Sequence, residues 1–196
     1  MWGIVDFSAV RGYTGGCAPR RLGGANEYVR FSMAIRVIPF VREDLTCTYR
    51  VVVEDRHIDM MGHMNVSHYT EFVAHGFWYY LRDHILGGSP DVSKHSVFMI
   101  EQHLQYLAEC HVGEAVEAYV RVVGVSKRCV HVVCYLYNET QGRLCAYSEI
   151  LLIGIDMQKR KGGTLGGGLR EKFAAAAAEH KALSWAPSLC GVIKPF

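Results

Sequence analysis

The stretch that most constrains this chain runs from Asp55 to Leu86, where Tyr69, Phe72, Val73, Phe77, Tyr80 and Leu81, with the small Gly76 among them, recur at helical spacing. That spacing places them on one face of an α-helix over several turns. Asn65 stands where an N-cap belongs, and Gly62 gives the preceding turn its conformational freedom. At about 1.5 Å per residue, a helix ending at Leu86 would cross a whole domain. The loop that feeds it, Asp55-Arg56-His57-Ile58-Asp59-Met60-Met61-Gly62-His63-Met64-Asn65, is polar and rich in His and Asp. Chemistry is expected there.

The rest of the pattern is β. Thr46–Val53 is β-branched and reads as a strand. Gly87-Gly88-Ser89-Pro90 ends the helix. Residues 96–109 alternate, with Phe98, Ile100, Leu104 and Tyr106 expected on one side and Glu101, His103 and Gln105 on the other. Residues 115–123, 129–137 and 144–155 complete four consecutive strands joined by short turns, which must run antiparallel. A five-stranded antiparallel sheet and one long helix bury each other's apolar faces, giving an α+β domain over 44–161. A glycine-rich linker and an alanine-rich helix follow over 162–196.

Residues 1–43 are rich in Gly and Arg and show no amphipathic period. They are expected to be a disordered tail or a start placed too early, with an organelle-targeting segment as the other option. The net charge of +2 gives no argument for nucleic acid, and no run of about 18 apolar residues predicts a membrane span. Seven cysteines without a CxxC pair fit reduced, buried thiols and a cytoplasmic protein better than a disulfide framework.

The stretch Asp59-Met-Met-Gly62-His63-Met64-Asn65, with Tyr69 after it, then a long helix and four strands, resembles the hotdog-fold acyl-CoA thioesterases of the 4-hydroxybenzoyl-CoA thioesterase type. Within them, His75 and the run Glu101-x-His103-x-x-Tyr106-Leu107-x-Glu109-x-x-x-Gly113 are similar to the betainyl-CoA and dehydrocarnityl-CoA thioesterases. The resemblance implies a hotdog fold and hydrolysis of a small or medium acyl-CoA, with no cofactor. Asp59 would be the catalytic carboxylate, as nucleophile or general base. The backbone amides from Gly62 through His63 and Asn65 to Val66 would hold the carbonyl oxygen. It also implies a homodimer or homotetramer whose 96–109 strands pair across a two-fold axis. The sequence departs from the family pattern at Ala74, where many members carry a Glu, so a mechanism based on that carboxylate is not expected.

Elementary chemistry supports the same assignment, because a thioester needs a nucleophile or base plus a preorganised oxyanion site. A helix N-terminus supplies free donors and a positive dipole end. Tyr69, His75, Glu101 and His103 are candidates to line the acyl pocket, and Glu101 with Trp78 or Tyr79 would suit a trimethylammonium group. Lys127, Arg128 and Arg160 are candidates for the CoA phosphates. Asp59, His57, His63 and His68 match no standard zinc spacing, and no metal is expected. A non-catalytic acyl-CoA-binding module and a hydratase or dehydratase on the same fold are the alternatives.

Overall fold

The computed structural model describes residues 38–88 and 92–194. The N-terminal tail expectation therefore lies, through residue 37, outside the described residues. Helix α1, Val66–Tyr80, buries Tyr69, Phe72, Val73, Gly76, Phe77 and Tyr80, the face the periodicity marks. It then relaxes into one π-helical turn over Leu81–Ile85 instead of continuing as α-helix to Leu86.

Strands β1 (Cys47–Val52), β2 (His95–Tyr106), β3 (Ala115–Val125), β4 (Cys129–Asn138) and β5 (Arg143–Asp156) form one antiparallel sheet in the order β1-β3-β4-β5-β2. A sixth strand, β6 (Lys161–Gly163), pairs with the end of β5, where β4 no longer reaches. The first glycines of the expected linker are thus sheet. Gly154 explains the fit: a Cβ there would lie 2.8 Å from the Thr164 carbonyl oxygen, so only glycine lets the chain return so closely. Helix α2 (Leu169–Lys181) packs along β3.

Two layers of core follow from strand alternation. Toward α1, the sheet presents Val116, Ala118, Val120, Val130, Val132, Cys134, Leu136, Ile150 and Leu152 against Phe72, Val73 and Phe77. Its other face holds Tyr119, Val133, Tyr135 and Tyr147, covered by Ile38, Phe40, Leu183, Trp185 and Leu189. Phe40 stacks on Tyr135 with ring centres 4.9 Å apart.

One correction concerns β2. A bulge between Met99 and Glu101 leaves Ile100 out of register with β5. Phe98 consequently joins Glu101, His103 and Gln105 on the face away from α1, while Gln102, Leu104 and Tyr106 face the helix. Simple alternation cannot anticipate that one-residue slip. β2 ends the strand order, and Phe98, Met99, Ile100 and Tyr106 along it are exposed.

The described cysteines are all free thiols, with Cys110, Cys129, Cys134 and Cys145 buried. No described helix is long and apolar enough to cross a membrane.

Two histidines tie the frame together by accepting backbone N–H groups. His57 Nδ1 accepts from Glu54 at 2.9 Å, and His180 Nδ1 accepts from Val122 at 2.8 Å. Burial lowers the pKa of both below the ordinary 6.5. The unfolded chain then binds protons before the folded one does, so stability is full above pH about 6.5 and falls as pH drops below it. Urea midpoints should decline between pH about 7.5 and pH about 5, and His180→Asn, which keeps an acceptor without titrating, should flatten the decline.

Candidate active site

The loop before α1 is closed by a single β-bridge between Ile58 and Met64. Inside it the Asp59 N–H donates to the His63 carbonyl at 3.0 Å, and the Gly62 N–H donates to the Asp59 carbonyl at 3.0 Å. Gly62 has φ +84°, a conformation that favours glycine. The loop is anchored from below: the Met64 N–H donates to the Cys110 carbonyl at 2.7 Å and the Asn65 N–H to the His57 carbonyl at 2.8 Å. His57 is itself buried in a capping box with Glu54, over the 3-10 turn Asp55–His57. These anchors were invisible in the sequence, because they join positions that only the fold brings together.

Asp59 is half-buried. Its Oδ1 accepts the Met61 N–H at 2.8 Å, and Oδ2 lies 3.7 Å from His63 Nδ1, beyond hydrogen-bond length. One carboxylate oxygen is therefore fixed by the loop and the other remains available. Met60 and Met61 beside it are strongly exposed, at 98% and 73%.

Asn65 is the N-cap of α1, its Oδ1 accepting the Ser67 N–H at 3.0 Å and the Ser67 hydroxyl at 2.8 Å. It serves the helix. The candidate oxyanion amides separate cleanly. Those of Gly62, Met64 and Asn65 are spent on protein carbonyls, and that of Ser67 on the cap. The His63 and Val66 amides have no partner among the described residues. Val66 is the first residue of α1, where the helix dipole adds to the donor.

The predicted pocket residues disperse. Tyr69 is buried and spends its hydroxyl on the Ala108 carbonyl at 2.9 Å, which clamps the first turn of α1 to the chain leaving β2. His75 turns toward β1, its ring 5.1 Å from that of Tyr49, with Nδ1 buried and without a hydrogen-bond partner. Glu101 and His103 face away from α1, so within one protomer they do not line the space beside Asp59. Nor does Glu101 meet Tyr79, which stacks on Tyr49 at the opposite edge. Lys127 and Arg128 occupy the β3–β4 turn, and the Arg160 guanidinium lies 5.6 Å from the Phe98 ring centre. All three are exposed at the end of the sheet where β2 begins. No group of three or more His, Cys, Asp or Glu side chains able to hold a metal occurs among the described residues.

Residues 51–188 match the thioesterase-like superfamily, a span that contains the loop, α1, the end of β1 and strands β2 to β6. The chain belongs to the thioesterase-like superfamily. A betainyl-CoA thioesterase from Pseudomonas aeruginosa is 28% identical over 142 residues, which cover 69% of this chain and 86% of that protein. Two solved structures share the fold. A protein from Staphylococcus aureus in complex with CoA superposes with a TM-score of 0.62 at 18% identity, over 72% of this chain and 90% of its own. A 1,4-dihydroxy-2-naphthoyl-CoA thioesterase from Synechocystis gives 0.56 at 14% identity, over 70% and 98%. The hotdog fold and the thioester-hydrolase class expected of this thioesterase-like chain agree with these matches.

Proposed function

We propose that this protein hydrolyses an acyl-CoA to the free acid and CoA, with Asp59 as the reacting carboxylate and the Val66 and His63 amides as the oxyanion site. One observation carries this reading: a half-buried carboxylate with an uncommitted oxygen stands just ahead of a helix whose first amide is also uncommitted. A thioester carbonyl seated on those amides gains stabilisation as negative charge develops on its oxygen, which is the interaction catalysis requires. Asp59 then attacks the carbonyl carbon, forming an anhydride that water opens, or removes a proton from the attacking water. In either route the C–S bond breaks and CoA leaves as thiolate, a good leaving group with an ordinary thiol pKa of about 8.5.

The acyl group is small or medium. The similarity to a betainyl-CoA thioesterase supports a betaine-like acid, although Glu101 does not supply its counter-charge within the protomer. Two copies pair through their exposed β2 edges, with apolar Phe98, Met99, Ile100 and Tyr106 covered in the process. Antiparallel pairing sets the Phe98 end of one strand beside the Tyr106 end of the other. Arg160 of one copy thereby approaches the loop of the second, the arrangement in which Lys127, Arg128 and Arg160 serve a CoA phosphate.

The test is thiol release from betainyl-, short-chain, long-chain and aromatic acyl-CoA esters, with sedimentation of the same protein. Release from one class by a dimer or tetramer fits the reading. Tight binding of the esters with no release, or a monomer at micromolar concentration, contradicts it.

A further inference from the structure

The outer edge of β2 carries a carboxylate and an imidazole, two residues apart, that find no partner within one protomer. β2 ends the strand order, so no other strand of the sheet covers its far side. Glu101 is exposed, His103 is half-buried, and both stand on the face away from α1. The Glu101 carboxylate makes no hydrogen bond or ion pair among the described residues. His103 Nδ1 is buried without a hydrogen-bond partner. Its cross-strand neighbour on β5 is Glu149, and that carboxylate is already taken. Glu149 Oε1 lies 2.8 Å from His131 Nε2, and Oε2 accepts the Cys190 N–H.

Two copies joined edge to edge in one antiparallel sheet are related by a two-fold axis perpendicular to it, and the axis restricts the register. Residues opposite each other across the join must lie on the same side of the sheet. The axis therefore passes between the two copies of a single residue. From Glu101 to Tyr106 the strand pairs with β5 without a bulge, so an axis near the middle of β2 can sit at Glu101, Gln102 or His103. At Glu101 it sets carboxylate against carboxylate, which opposes association. At His103 it sets imidazole against imidazole and leaves both Glu101 side chains without a cation. At Gln102 it sets Glu101 of each copy against His103 of the other, twice by symmetry, and both groups gain a partner.

We propose that a second copy of this chain docks on β2 with the two-fold axis at Gln102, Glu101 of each copy pairing with His103 of the other. The inference rests on the edge-to-edge pairing in the functional reading and adds the contacts that fix its register. The imidazole bonds through Nε2, since Nδ1 is enclosed. Moving the axis to a neighbouring residue would shift the two copies by two residues, roughly 7 Å along the strand. The pair thereby also sets how far Arg160 of one copy stands from the Asp59 loop of the other.

The experiment is sedimentation equilibrium of the full chain as wild type, Glu101→Lys, His103→Glu and the double variant. Wild type should dimerise. Glu101→Lys sets a cation against the imidazole and His103→Glu sets carboxylate against carboxylate, so each should raise the dimer dissociation constant about tenfold or more. The double variant exchanges the charges and should return the constant to within a few-fold of wild type. With the axis at His103, the double variant would still oppose two carboxylates and stay weak. Should His103→Glu fail to fold, cross-linking decides: on oxidation with copper–phenanthroline, a mixture of Glu101→Cys and His103→Cys copies should link into dimers, while neither alone links beyond wild type. Single variants that dimerise like wild type, a double variant as weak as the singles, or either cysteine variant linking to itself as readily as in the mixture overturns the register and leaves the dimer standing. A monomeric wild type overturns both.

Discussion

Val66→Pro is expected to lower kcat about 10²- to 10³-fold, the usual cost of removing one oxyanion donor, with little loss of helix or stability. The position suits this substitution unusually well. Val66 is the first residue of α1, where proline's fixed φ matches the helix and its missing N–H deprives no intrahelical bond. The residue before a proline must be extended, and Asn65 already has φ −61° and ψ 142°. Val66 is also 56% exposed, so little packing is lost. Far-ultraviolet circular dichroism and thermal melting should stay near wild type while thiol release collapses. Val66→Ala, which keeps the N–H, should retain activity. A proline variant as active as wild type would remove Val66 from the oxyanion site.

Gly76→Val is expected to destabilise the fold by about 1–3 kcal/mol or more, as overpacking does, and to depress activity with it. A Cβ at position 76 would lie 2.5 Å from the Cβ of Ala118, with Cys134 Sγ and Thr48 Oγ1 also in contact range. The Gly76 carbonyl is held by the Thr48 hydroxyl at 2.9 Å, so the helix cannot simply slide along β1. Alanine should be harmful as well, since the gain in helix propensity of about 1 kcal/mol does not relieve the contact. Because α1 carries the Val66 amide at its start, raising the helix off the sheet misplaces a donor that must sit within a fraction of an ångström. Equilibrium unfolding in urea checks the first effect and thiol release the second.

How much of this could be read from the sequence depended on whether the governing contacts were local. The buried face of α1 and the cap at Asn65 were legible, since helical period and capping are properties of adjacent residues. The sheet's antiparallel sense followed from its short turns. The β2 bulge at Ile100 was not legible, and it decided where Glu101 and His103 point. Strand β6 hid inside a glycine run because its partner is the far end of β5. In the site, the loop and helix start were legible from the Asp59–Asn65 motif. Which amides remained open was not, because the Cys110 and His57 carbonyls that occupy the Met64 and Asn65 amides belong to other elements.

The most direct measurement of the central claim is the rate of thiol release by Asp59→Asn beside wild type, on whichever acyl-CoA ester wild type cleaves fastest. Asparagine keeps the oxygen that accepts the Met61 N–H, so the loop should hold its shape while losing the charge that attacks or activates water. The account predicts a fall in kcat of about 10³-fold or more at an unchanged melting temperature. Hydrolysis by a folded Asp59→Asn variant at the wild-type rate would contradict it.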